Sequence, residues 1–165
     1  MMTPPNLSVV LWEPEIPPNT GNIARLCAAN DTPLHLVGRL GFSLDDRHLR
    51  RAGLDYWPHV DLHRHDAFAD FERWWAERGF DPTRIFCLSA RAATPYTELR
   101  FRPGDGLVFG SETRGLPPEI LERYKDRTFV IPMSSSAVRS LNLATAVGIV
   151  AYEAFRQLRT PTHTR

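Results

Sequence analysis

Leu7-Ser8-Val9-Val10-Leu11-Trp12, followed by Glu13-Pro14-Glu15-Ile16-Pro17-Pro18-Asn19-Thr20-Gly21-Asn22-Ile23-Ala24-Arg25, decides the fold. The first six residues are a short apolar run bounded by Pro14, as in a strand buried on both faces. A proline-rich turn follows. Residues 19–29 then place Ile23, Leu26 and Cys27 on one helical face, with Asn19 or Thr20 able to cap its start. Strand, turn and helix in this order form the unit from which parallel sheets are built.

The alternation continues along the chain. Leu34 to Val37 reads as a second strand, and residues 45–52 as a short exposed helix, acidic at its start and basic at its end. Residues 66–78 are amphipathic, with Phe68, Phe71, Trp74 and Trp75 supplying bulk. Residues 84–89 and 106–109 read as buried strands, Pro117-Pro118 opens a helix, and residues 127–131 form a strand ended by Pro132. A last helix, 140–158, carries Leu143, Val147, Val150, Ala154 and Leu158 along one stripe. The order predicts one α/β domain over residues 1–165, ordered from about 7 to 158, with a mainly parallel sheet covered by helices on both faces. Residues 1–6 and 160–165 are expected to be loose.

A 42% hydrophobic and 24% charged composition is that of an ordinary globular protein. No apolar run approaches the roughly 20 residues of a membrane span, and no signal-peptide pattern opens the chain, so cytoplasm is expected. Cys27 and Cys87 fall in a helix and a strand and read as buried free thiols. His63 and His65 lie in a polar stretch, where a surface position is the expectation and a metal site is not. The formal net charge of +1 means that any RNA contact must come from a local patch. Lys125 is the only lysine, and arginine suits bidentate phosphate contacts.

Three strands end in candidate ligand loops. They are Ser89-Ala90-Arg91, Gly110-Ser111-Glu112-Thr113-Arg114-Gly115 and residues 133–142. Ligands of open α/β sheets bind beyond the carboxyl ends of strands, and three such loops together can wrap a small cofactor. Gly110 permits close backbone approach, so a side chain there is expected to block a ligand and spare the fold. Each loop alone can equally be an ordinary turn. The glycine-rich fingerprints of dinucleotide and nucleoside-triphosphate sites are missing. Asn19, Asn22 and Arg25 can face one concavity or merely dress the first helix. Arg47, Arg50 and Arg51 cluster at spacings of three and four, which fits phosphate contacts or a solvated face paired with Asp45 and Asp46.

Four motifs in order resemble the SPOUT, or α/β-knot, RNA methyltransferases, and within them the small enzymes that methylate the ribose of the tRNA wobble nucleotide. They are the stretch from Glu13 to Asn22, Arg50-Arg51-Ala52-Gly53-Leu54-Asp55-Tyr56, the stretch from Phe109 to Pro117, and Arg139-Ser140-Leu141-Asn142-Leu143. The resemblance spans about residues 7–158 and departs at Val138 and Ala144, where serine is common. It implies a C-terminal trefoil knot, a homodimer packed through the first and last helices, and S-adenosylmethionine in the knot loops. Leu88, Gly110, Ile131 and Ser140 would line the cofactor site, and Arg25 matches the arginine assigned to catalysis. Asn19, Glu112, Arg114 and Asn142 match positions around the site, and Arg47, Arg50 and Arg51 would meet RNA.

The implied reaction is methylation of the 2'-hydroxyl of tRNA nucleotide 34, cytidine or modified uridine, in the anticodon loop. Two alternatives stand beside it: a same-fold enzyme acting on another tRNA or rRNA site, and a non-catalytic RNA-binding protein of this fold. A guanidinium stays protonated, so Arg25 suits stabilisation of a developing alkoxide or an RNA phosphate better than proton abstraction. The last helix is apolar nearly all round from Leu141 to Ala151, more than one small domain needs, which also predicts a second copy.

Overall fold

A computed structural model describes residues 5–45, 47–52 and 56–159, with the backbone alone at His48, Arg50 and Ala52. Strands β1 (Leu7–Trp12), β2 (Leu34–Val37), β3 (Leu62–His65), β4 (Ile85–Leu88), β5 (Asp105–Phe109) and β6 (Thr128–Phe129) form one sheet. Their order is β3-β2-β1-β5-β4-β6, and all neighbours are parallel. The helices are α1 (Pro17–Ala29), α2 (Arg47–Ala52), α3 (Phe68–Glu77), α4 (Pro118–Arg123) and α5 (Leu143–Leu158).

Side chains alternate across each strand, so two cores form. Val9, Leu11, Leu107 and Phe109 join Ile23 and Cys27 of α1 and Val147, Val150 and Ala154 of α5. Val10, Val108, Ile85 and Cys87 join Phe71 and Trp75 of α3 and Ile120 of α4. Helices on both faces explain why these strands read as unbroken apolar runs. Both cysteines are free and buried.

Several boundaries differ from the sequence reading. α1 begins at Pro17, so Asn19 and Thr20 lie inside its first turns and are buried, and the N-cap is Ile16 without a side-chain cap. α5 begins at Leu143, with Asn142 as its N-cap, Oδ1 accepting from the Thr145 N–H. The strand expected over 127–131 is reduced to Thr128–Phe129. β3 was not expected, and it overturns the surface reading of its histidines. His65 is buried, and its Nε2 lies 3.0 Å from Nδ1 of the fully buried His35. The His63 ring stacks on His35 at 4.7 Å, and Trp74 meets both edge-on or tilted. The polar spelling Leu-His-Arg-His concealed a strand because its imidazoles pair with one another and with aromatic rings.

Loops carry the remaining distinctive geometry. Phe129 O accepts from the Ser89 N–H, while Val130 exchanges bonds with Thr94 and Tyr96 on its other side, each at 2.9 Å. The connection leaving β4 therefore flanks residues 128–130 on both sides. The strand order reverses between β1 and β5, so the loops leaving these two strands bound a crevice.

Candidate active site

The loops after β4, β5 and β6 and the start of α5 enclose a cavity of about 540 Å³. Leu88, Gly110, Ile131 and Ser140, the four residues expected at the cofactor, all line it. So do Glu112 and Arg114 from the substrate set. Ser89, Arg91, Met133 and Arg139 also line it; the sequence had put them in candidate ligand loops without naming them singly as site residues. Their signal was positional, since all four lie in the three loops that follow strand ends.

Gly110 serves the loop itself. A Cβ there would lie 2.2 Å from the Gly115 carbonyl carbon and 2.4 Å from the Leu116 nitrogen. Ser111 and Gly115 close the turn with reciprocal backbone bonds at 2.9 and 3.3 Å, which forces the chain back against Gly110. A side chain at Gly110 therefore breaks the loop, contrary to the expectation that it would only exclude a ligand.

The turn after β1 and the loop after β5 grip each other. The Glu112 carboxylate accepts from the Glu15 N–H at 2.8 Å, the Ile16 N–H at 2.7 Å and the Asn19 amide at 3.2 Å. It thus supplies the negative charge that the α1 N-terminus favours, where Pro17 and Pro18 have no N–H to satisfy. In return, Glu15 Oε1 accepts the Thr113 N–H at 3.0 Å and hydroxyl at 2.6 Å. These two bonds hold the Glu15 carboxyl below its usual range. Asn142 Nδ2 donates to Asn19 Oδ1 at 3.0 Å and ties in the start of α5. Asn19, Glu112 and Asn142 are thus brought together, each bonded to the next.

Arg114 is exposed beside the cavity. Its guanidinium donates to Glu13 at 3.2 Å and lies 5.3 Å from the Trp12 ring centroid. Arg25 is also exposed, on α1, with its guanidinium 5.4 Å from the Tyr56 ring centroid, and it does not line the cavity. Arg47 and Arg51 are exposed on α2, which packs against α1. The Arg50 side chain, Asp46 and residues 53–55 lie outside the described residues. Among the described residues, no three His, Cys, Asp or Glu side chains are placed to hold a metal, and no helix is long and apolar enough to cross a membrane.

Comparison with known proteins gives this arrangement its context. A tRNA (cytidine(34)-2'-O)-methyltransferase of Yersinia pestis is 47% identical over 159 residues, covering 94% of this chain and 96% of that protein. A solved structure concerned with the 2-OH methylation of C/U34 on tRNA superposes with a TM-score of 0.85 at 56% identity, covering 92% of this chain and 95% of that one. The SpoU methyltransferase AviRb of Streptomyces viridochromogenes, solved with AdoMet, gives 0.82 at 26% identity over 96% of this chain and 62% of that one. The model of the SpoU rRNA Methylase family matches residues 6–152. The chain belongs to the SpoU methylase family.

Proposed function

We propose that the protein transfers a methyl group from S-adenosylmethionine to the ribose 2'-hydroxyl of tRNA nucleotide 34, cytidine or modified uridine. The observation that carries this reading is the cavity where Leu88, Gly110, Ile131 and Ser140 converge, in a chain so similar to enzymes named for that reaction. The lining suits the cofactor. Leu88, Leu116 and Ile131 offer an apolar slot for adenine, while Glu112, Arg91 and Arg139 place both signs of charge for a zwitterionic methionine end.

S-adenosylmethionine, when bound, supplies a methyl group already activated by sulfonium charge. The protein's task is then to hold the 2'-hydroxyl in line and ease loss of its proton, through orientation and electrostatics. We assign Arg25 to the developing alkoxide. Arg25 does not line the cavity of its own chain, and we assign it to the cavity of a second copy. Exposed Ile16 at the start of α1, exposed Leu141 just before α5 and exposed Tyr152 on α5 give a homodimer an apolar surface to bury. Arg47, Arg50, Arg51 and Arg114 are assigned to RNA, whereas Asn19, Glu112 and Asn142 shape the wall that the substrate meets.

The embrace of residues 128–130 by the connection after β4 supports a trefoil knot at the C-terminal end. A tRNA substrate places the protein in the cytoplasm. The test is titration calorimetry with S-adenosylmethionine followed by transfer of labelled methyl to tRNA. Cofactor binding with label confined to nucleotide 34 is expected. Label at another nucleotide, or binding without transfer, contradicts the proposal.

A further inference from the structure

The turn after β1 and the loop after β5 lie on the two central strands, where the strand order reverses. One leads into α1 and Arg25, and the other lines the cavity. They are about 97 residues apart in sequence, yet five hydrogen bonds cross between them. Glu15 takes part in both directions. Its N–H donates to Glu112, and its carboxylate accepts both the N–H and the hydroxyl of Thr113.

The neighbouring carboxylate reinforces the grip. Glu13 bonds Arg114 on the cavity loop and the Arg39 N–H beyond β2, and its backbone sits at φ +46, a conformation that non-glycine residues adopt only when their surroundings hold them there. Gly38 opposite it leaves the space, since a Cβ there would lie 2.7 Å from the Glu13 carboxylate. Neither Glu13 nor Glu15 lines the cavity, so neither is placed to touch a bound cofactor.

We infer that Glu15 is a positioning residue for methyl transfer, gripping Thr113 so that the cavity loop stays in fixed register with α1, the helix at the proposed contact with the second copy whose Arg25 serves this cavity. The inference rests on the proposed function. Its consequence is specific: loosening the grip leaves both ligands bound but poorly aligned, and misplacement by about 1 Å can cost on the order of 100-fold in rate.

The test compares wild type with Glu15→Ala, Glu15→Gln and Thr113→Val. The last removes only an exposed hydroxyl and keeps the protein measurable if Glu15→Ala unfolds. Single-turnover methylation at saturating tRNA and cofactor should fall about 10- to 100-fold in Glu15→Ala, with cofactor Kd changed less than about threefold. Glu15→Gln, which still accepts hydrogen bonds, should recover part of the loss. Amide exchange at residues 111–115 should quicken in the alanine and valine variants. An unchanged rate in both, or a rate loss matched by lost cofactor affinity, overturns the inference. Wild type that transfers no methyl contradicts the proposed function instead, and amide exchange then decides alone: unchanged protection of residues 111–115 overturns the positioning role.

Discussion

Asn142 and Asn19, which are 123 residues apart, share a hydrogen bond of 3.0 Å in which the Asn142 amide donates and the Asn19 carbonyl accepts. Each has its other end committed, Asn142 Oδ1 to the α5 N-terminus and Asn19 Nδ2 to Glu112. The starts of two helices and one cavity loop are therefore held by a single chain of amides and a carboxylate.

Asn142→Ala should cost about 1–3 kcal/mol of stability, combining a lost N-cap with a buried Asn19 oxygen left unpaired. Asn142→Asp keeps the cap but offers Asn19 no donor, so it should lie on the unstable side of wild type too. Urea denaturation measures both, and an aspartate variant as stable as wild type would show the contact to be unimportant.

Gly110→Ala should destabilise by on the order of 3 kcal/mol or more, because its Cβ falls on the Gly115 backbone. Gly115→Ala has open space but sits at φ +64, so it should cost only about 1 kcal/mol. Thermal denaturation separates them. A Gly110→Ala protein with normal melting would mean that the loop can relax away.

Stability should fall as pH drops below about 6.5, the ordinary histidine value. Burial first, then the neighbouring His63, His65 and Arg78, hold the His35 pKa well below that value. Burial also lowers His65, with His63, Arg78 and Arg64 acting in the same sense and Asp70 opposing. The unfolded chain therefore binds more protons below pH 6.5, and stability present at neutral pH is lost at up to about 1.4 kcal/mol per pH unit for each histidine. His35→Leu should flatten the urea midpoint between pH 7.5 and 5, whereas a wild-type midpoint that does not move would contradict the argument.

Replacing Arg47, Arg50 and Arg51 together by Ala should weaken tRNA binding and reduce its salt slope, as loss of phosphate contacts requires. Binding titrations at several salt concentrations test this. An unaltered slope would return α2 to a solvated face.

Arg25→Ala should leave cofactor affinity intact and lower single-turnover methylation by about 100-fold or more, the scale of one lost oxyanion donor. Arg25→Lys should recover only part, because an ammonium lacks the planar fork of donors. A near-normal rate in the alanine variant would leave Arg25 as a partner of Tyr56 alone.

Much of this architecture could be read from local pattern. Parallel strands buried on both faces spell themselves as apolar runs, and β1, β4 and β5 were plain on that ground. That Leu88, Gly110, Ile131 and Ser140 would line one cavity was legible from the positions of three loops together with the family motifs. What depended on distant partners was not. α1 starts two residues before the first candidate cap because Glu112 satisfies its N-terminal region from 96 residues away. β3 looked polar because nothing local reveals that His35 receives His63 and His65. Asn19, Glu112 and Asn142 were expected around the site, but their bonds to each other needed the folded chain. Arg25 stood on the expected helix, and its separation from the cavity could not be read from spacing.

The most direct test of the central claim is nucleoside mass spectrometry of tRNA from a strain lacking the gene and from the same strain with it restored. The proposal predicts that 2'-O-methylation at position 34 of some tRNAs disappears in the deletion and returns with the gene, but not with an Arg25→Ala copy. Position 34 methylated alike in both strains would contradict it.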